Sequence, residues 1–357
     1  MKSLLRLLLK SQHQRNRSEP AQTEKGMTLV ELLVGAIMAF LIITPMLGFV
    51  VDMLNTDRRE QVKSNTEQDI QAAVDFIAQD LSQAIYVYDQ KKIDEINTTP
   101  EKLPAPTNGT PILVFWKRQL IKNAVPINSS IKPKDCVIPA NAGKCNDTYV
   151  LSLVAYYQIR ETDPKSIWCQ PSGGSCPTRI ARYEIRDGIR KPDPVATDTD
   201  LPYYNVGDTN KDTQQPDPAF NKDFDFSKPT VNVTLAAGLK DNNSGANKPE
   251  VLVNYIDHSF NKETKLPATE CQTALGKPTD PKDTTKLLDE TTLKVTDKLV
   301  DSNSFYACVD TARNIARVTI RGNSLRRIQT DADYEAKKSA YFPTASVQVQ
   351  GRGAQGQ

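Results

Sequence analysis

An apolar run over residues 32–51 opens on a single acid, Glu31, and that pair of features leaves the chain few ways to fold. A helix of about 20 apolar residues at 1.5 Å rise each crosses the hydrocarbon of a bilayer. A carboxylate at the entrance of such a helix opposes insertion, since an acid at bilayer centre costs roughly 2.5–3.5 kcal/mol. Ionisable residues that persist there are functional by default and are buried against a partner. The bland alternative is a signal anchor whose glutamate is accidental. A cleavable secretory peptide has a shorter apolar core with small residues after it, whereas Gly26 precedes this one. A lipoprotein signal needs a cysteine near the cut, and the first cysteine is Cys136.

The flanks set an orientation. Residues 1–26 carry Lys2, Arg6, Lys10, Arg15, Arg17 and Lys25 against Glu19 and Glu24, so the positive-inside rule holds that end in the cytoplasm and places the rest outside. The cluster of Leu4, Leu5, Leu7, Leu8 and Leu9 suits a short amphipathic helix on the inner membrane face. Removing six bases and two acids takes the whole-chain charge of +2 to about −2, which argues against nucleic acid as a partner.

Lys25-Gly26 standing directly before Met27-Thr28-Leu29-Val30-Glu31 resembles the type III signal of type IV pilins and pseudopilins. The resemblance implies that a membrane peptidase cuts after Gly26 and methylates the new amine on Met27. Glu31 then becomes the fifth mature residue and neutralises the terminal amine of a neighbouring subunit. Met27 departs from the phenylalanine frequent at that place. Pro45 removes one helical hydrogen bond and clashes with the preceding turn, so a kink or local melt is expected there. Similar pilin helices carry a proline near this depth and unwind around it in a filament.

Beyond residue 51 the composition turns polar, yet no glycine or proline interrupts the chain until Pro100. Ile70, Val74, Ile77, Leu81, Ala84 and Tyr88 recur at steps of four and three, a helical stripe. Asp69, Asp75, Gln79 and Asp80 fall off it. The expected helix runs from about Met27 to Tyr88, roughly 90 Å at 1.5 Å per residue. Its stripe spans too few heptads for a coiled-coil seam and reads as the face that packs a sheet. Residues 72–84, with Thr56-Asp57-Arg58-Arg59-Glu60, resemble most the cyanobacterial pseudopilins of hormogonium polysaccharide secretion.

Strand signals follow at 111–116, 149–157, 182–186, 231–235, 251–255 and 316–321. Between them, 191–229 and 262–296 are crowded with polar residues and prolines and read as surface loops. The expected fold is α+β and pilin-like, a long N-terminal helix packed on an antiparallel β-sheet head with long loops. Its parts are a leader, 1–26, a membrane or filament-core helix, 27–51, an amphipathic continuation, 52–90, a disulfide-containing head, 91–348, and a frayed tail, 349–357.

All six cysteines lie in the outward part, which fits an oxidising compartment. Many connectivities are open to them. Cys136 with Cys145 and Cys169 with Cys176 each bracket a short glycine-containing loop, leaving Cys271 with Cys308. A zinc site is the rival, but no cysteine pair has a two-residue gap, and His13 and His258 are the available imidazoles.

Signals for chemistry are sparse, and no enzyme is expected. His258 closes a strand as a packing or surface residue, and the serines of 171–176 lie in a cysteine-capped turn rather than a nucleophile elbow. Asp208, Asn210 and Asp212, like Asp223 and Asp225, alternate as oxygen donors for calcium, without the glycine and glutamate that complete an EF-hand loop. No other cofactor is indicated. Arg313, Arg317, Arg321, Arg326 and Arg327 read as a solvated basic face, with an acidic glycan or phosphate chain as the alternative ligand.

The implied role is a minor pilin or pseudopilin at a filament tip or initiation complex, supporting secretion, of polysaccharide on the narrower resemblance, and gliding motility. Its implied partners are a prepilin peptidase/methyltransferase, other pilins or pseudopilins and an inner-membrane assembly platform. The rivals are a pilus-tip adhesin or uptake receptor and a membrane-tethered periplasmic enzyme.

Overall fold

Helix α1, Leu29–Leu81, is the longest element, and in a computed structural model it is helical throughout, Pro45 included. The structure describes residues 28–353 except 101, 105, 193–201, 211–213, 236–248, 260–264, 298–301 and 331. Gly26, Met27, Asp212 and the leader therefore lie outside the described residues. The chain divides into two units, Met1–Asp57 and Arg58–Gln357.

The local melt expected at Pro45 is absent. Only the Leu41 carbonyl loses its donor to the proline ring, and Thr44 Oγ1 donates to the Phe40 carbonyl at 2.8 Å beside it. The helix ends at Leu81 rather than Tyr88. A turn at Ser82–Gln83 closes it, with Gln83 N–H donating to the Asp80 carbonyl and Ser82 Oγ to that of Gln79. Residues rich in β-branched and aromatic side chains then form β1, Ala84–Val87. Ala84 and Tyr88 are buried as the stripe implied, but from an extended backbone. Asp89 caps α2, Gln90–Thr98, by accepting from Lys92 N–H at 2.9 Å.

The head carries two main sheets. The five-stranded one has the order β1-β2-β3-β4-β5, all antiparallel, with β2 Gly109–Pro126, β3 Cys145–Arg160, β4 Thr178–Arg186 and β5 Glu250–Ile256. β2 and β3 run well past their apolar segments, because each supplies the other's backbone partners where side chains have turned polar. The expected strand at 231–235 is reduced to an isolated bridge between Phe220 and Thr234. Asn232 has φ 55°, which breaks an extended backbone there.

The polar segment 262–296 is not a plain loop. It folds into α3 Glu270–Ala274, the hairpin β6 Thr279–Asp280 with β7 Asp283–Leu287, and α4 Glu290–Leu293. The Glu290 carboxylate accepts the free N–H groups of Cys271 and Gln272 at 2.8 and 3.0 Å, joining the two short helices. The second sheet has the order β11-β10-β9-β8, with β8 Lys294–Asp297, β9 Ser302–Asp310, β10 Ile315–Arg321 and β11 Thr344–Gln350. The tail expected to fray from Val349 starts inside a strand. Val349 and Gln350 pair with Ala316 and Ile315, and Gly351 N–H donates to the Asn314 carbonyl.

One core joins these elements. Ile70, Ala73, Val74, Ile77 and Leu81 of α1 pack with Ile112–Trp116 of β2, Val154–Tyr157 of β3 and Val318 and Ile320 of β10. Each fully buried side chain of this size contributes about 1.5–3 kcal/mol. Segment 191–229, polar on average, closes one side with three phenylalanines. Phe224 stacks on Trp116 with ring centroids 4.4 Å apart, Phe220 and Phe226 approach its edges, and Trp116 Nε1 donates to Tyr88 Oη at 2.9 Å.

Candidate functional site

The start of α1 is the strongest candidate. Thr28 occupies its N-cap. Its Oγ1 accepts from Glu31 N–H at 3.3 Å and its carbonyl from Leu32 N–H at 3.1 Å. Threonine at the cap with glutamate three residues on is the capping-box pattern, and the helix dipole favours an acid in this first turn. No lysine, arginine or histidine occurs between residues 28 and 57. A countercharge for Glu31 must therefore come from outside that segment.

From Leu29 to Leu54 the large apolar side chains are all exposed, Phe40 at 72% and Phe49 at 71%. One helix is thus long and apolar enough to cross a membrane, by length and composition. Pro45 lies within this stretch and is exposed.

The cysteines form three disulfides, Cys136–Cys145, Cys169–Cys176 and Cys271–Cys308. The first closes the turn between β2 and β3. The third ties α3 to β9 over a small cluster of Leu275, Leu293 and Tyr306.

The arginines do not form a common face. Arg313 Nε donates to Asp310 Oδ2 at 2.5 Å, Arg321 Nη2 lies 2.8 Å from the buried Asp257, and Arg327 pairs with Asp69 of α1. Arg326 is wholly buried, donating to the carbonyls of Pro171, Gly173 and Ser175 at 2.8–3.0 Å, so it organises the loop inside Cys169–Cys176. Arg317 is half-buried and donates to Ser346 Oγ at 3.4 Å, while Arg313 is the exposed member of the set.

Two of the calcium candidates, Asp208 and Asp225, are held by neighbouring side chains. Asp208 pairs with Lys132 Nζ at 2.6 Å, and that hydrogen bond holds its carboxyl below the ordinary range. Asn210 N–H donates to Gln214 Oε1, and Asp225 accepts from Ser227. Among the described residues no three His, Cys, Asp or Glu side chains are grouped to hold a metal. His258 Nε2 lies 3.3 Å from Asp333, and burial pushes its imidazole down despite the two flanking aspartates.

A buried ionic network was not legible in advance. Asp80, assigned to the polar face of α1, is 7% exposed. Its carboxylate accepts from Lys117 at 3.0 Å, Arg182 Nε at 2.7 Å and Tyr156 Oη at 2.7 Å. Glu184 completes the group, 3.3 Å from Lys117 and 2.6 Å from Arg182. Burial pushes both carboxyls up, but the Arg182 and Lys117 contacts outweigh it and hold both below the ordinary range. The signal lay in the strands. Lys117 directly follows a fully apolar run, and Arg182 and Glu184 alternate with buried Tyr183 and Ile185, so charges in these positions require partners.

No protein-family profile, curated protein sequence or solved structure matches this chain.

Proposed function

We propose that this chain is a minor pilin or pseudopilin, a membrane-anchored subunit that works by assembling with similar subunits rather than by catalysis. The placement of Glu31 carries the reading. The acid sits five residues after Gly26, in the first turn of an apolar helix whose next 26 residues hold no base. An uncompensated carboxylate in that setting is costly, and the amine on Met27 of a neighbouring, processed subunit would neutralise it. Cleavage after Gly26 by a prepilin peptidase/methyltransferase is part of the same proposal.

The exposed apolar surface from Leu29 to Leu54 supports an inner-membrane anchor that later becomes a filament core. The three disulfides suit a head outside the cytoplasm, with the basic leader inside. A head of this size fits a tip or initiation position better than a repeating one. The resemblance of residues 56–60 and 72–84 assigns polysaccharide as the secreted cargo and gliding motility as the output, with an inner-membrane assembly platform as a further partner.

The test is Glu31→Ala in the native membrane. The proposal expects processing to continue while co-purification with other pilin-like subunits, and the secretion they support, are lost. Unchanged assembly would contradict it.

A further inference from the structure

Among the described residues the two main sheets end on four edge strands, β1, β5, β8 and β11, and three are protected against strand addition in the usual ways. β1 is four residues long, and Gly353 lies so close that a Cβ there would come within 1.9 Å of the Ile85 carbonyl oxygen. β5 opens on Glu250, shifts register twice against β4, and carries Tyr255 at φ 58°. β8 has four residues, two of them Lys294 and Asp297, and an irregular register.

The remaining edge, β11, has none of these devices. Its seven residues, Thr-Ala-Ser-Val-Gln-Val-Gln, include no charge, proline or glycine, and they pair with β10 without a shift. Thr344, Ser346, Gln348 and Gln350 face solvent, while Ala345, Val347 and Val349 lean on the core. An uncharged strand edge with an unshifted register is a template for another strand.

We propose that β11 is a docking edge and that its occupant is the β11 strand of a second copy of this chain. Antiparallel pairing about a two-fold axis at Val347 sets Thr344 opposite Gln350, Ala345 opposite Val349 and Ser346 opposite Gln348. Every facing pair is then uncharged, hydroxyls meet amides on the outer face, and small and branched apolar side chains meet on the inner one. The two four-stranded sheets become one. This inference goes beyond the proposed function and stands on the strand edge alone, whatever happens at Gly26.

The test uses the full-length chain with a photo-cross-linking residue in place of Gln350 and two distinguishable tags. The expected product is a cross-link between differently tagged copies, joining position 350 of one to the neighbourhood of Thr344 in the other. The double variant S346E/Q348E sets acid against acid across the axis, while Arg317, opposite Gln348 within the chain, balances it internally. Its cross-linked yield should fall about fivefold, two opposed like-charge pairs at the usual cross-strand strength, with near-UV circular dichroism unchanged. S346K/Q348E, which sets lysine against glutamate, should restore the yield. A wild-type chain that yields no cross-linked pair, a cross-link to a different polypeptide, or a charge swap that fails to restore pairing would each overturn the proposal.

Discussion

Asp80 lies between Ile77 and Leu81 on α1, and helical spacing alone left it off the apolar stripe. The structure instead sets it under β2, β3 and β4, where Lys117 and Arg182 need an anion. Periodicity sees one helix at a time, and the longest single bond of this network joins residues 102 positions apart. Replacing one partner strands the others in a buried site. Asp80→Ala is expected to lose about 3–5 kcal/mol, read as a lower urea midpoint. Both Asp80 and Glu184 titrate below their ordinary values of 3.8 and 4.5 when folded. The unfolded chain therefore takes up protons first. Their contribution is complete above those ordinary values and is lost as pH falls through the depressed ones. Urea midpoints at pH 7, 5 and 3 should show the loss confined to the last step, and Asp80→Asn should flatten it.

Gly322 belongs to the same scale. An added Cβ would come 2.2 Å from Ile70 Cδ1 and 2.9 Å from Thr66 Cγ2, so Gly322→Ala should destabilise the head by about 1–3 kcal/mol through overpacking. A thermal midpoint equal to the wild type would contradict that close approach.

Among the elements, strands with strong apolar runs were legible. The expectation at 316–321 lies within β10, and those at 149–157 and 251–255 lie within β3 and β5. β9 and β11 were not, since Ser-Asn-Ser and Thr-Ala-Ser openings carry loop composition, and only the register of β10 makes them strands. The helix end was misplaced because the stripe of α1 continues in phase through β1. The three cysteine pairs differ in the chain they enclose, 37 positions for Cys271–Cys308 against 9 and 7. Loop entropy then predicts a loss of about 4 kcal/mol for the paired serine variant of the long loop and about 2.5 kcal/mol for each short one. Denaturant titration of the three double variants should rank them in that order, and an equal loss in all three would contradict it.

For the whole molecule, the coarse plan of an apolar helix followed by an α+β, sheet-rich head was readable from the sequence. The second sheet, the phenylalanines over Trp116 and the dispersal of the arginines were not, because each depends on contacts between distant segments. The account's central claim rests on the first turn of α1, where Glu31 has no base for 26 residues after it. Intact mass and N-terminal sequencing of the protein from its native membrane, with and without prepilin peptidase, test that claim most directly. The account predicts a mature chain beginning at methylated Met27 only when the peptidase is present. A chain that still begins at Met1 in its presence would contradict it.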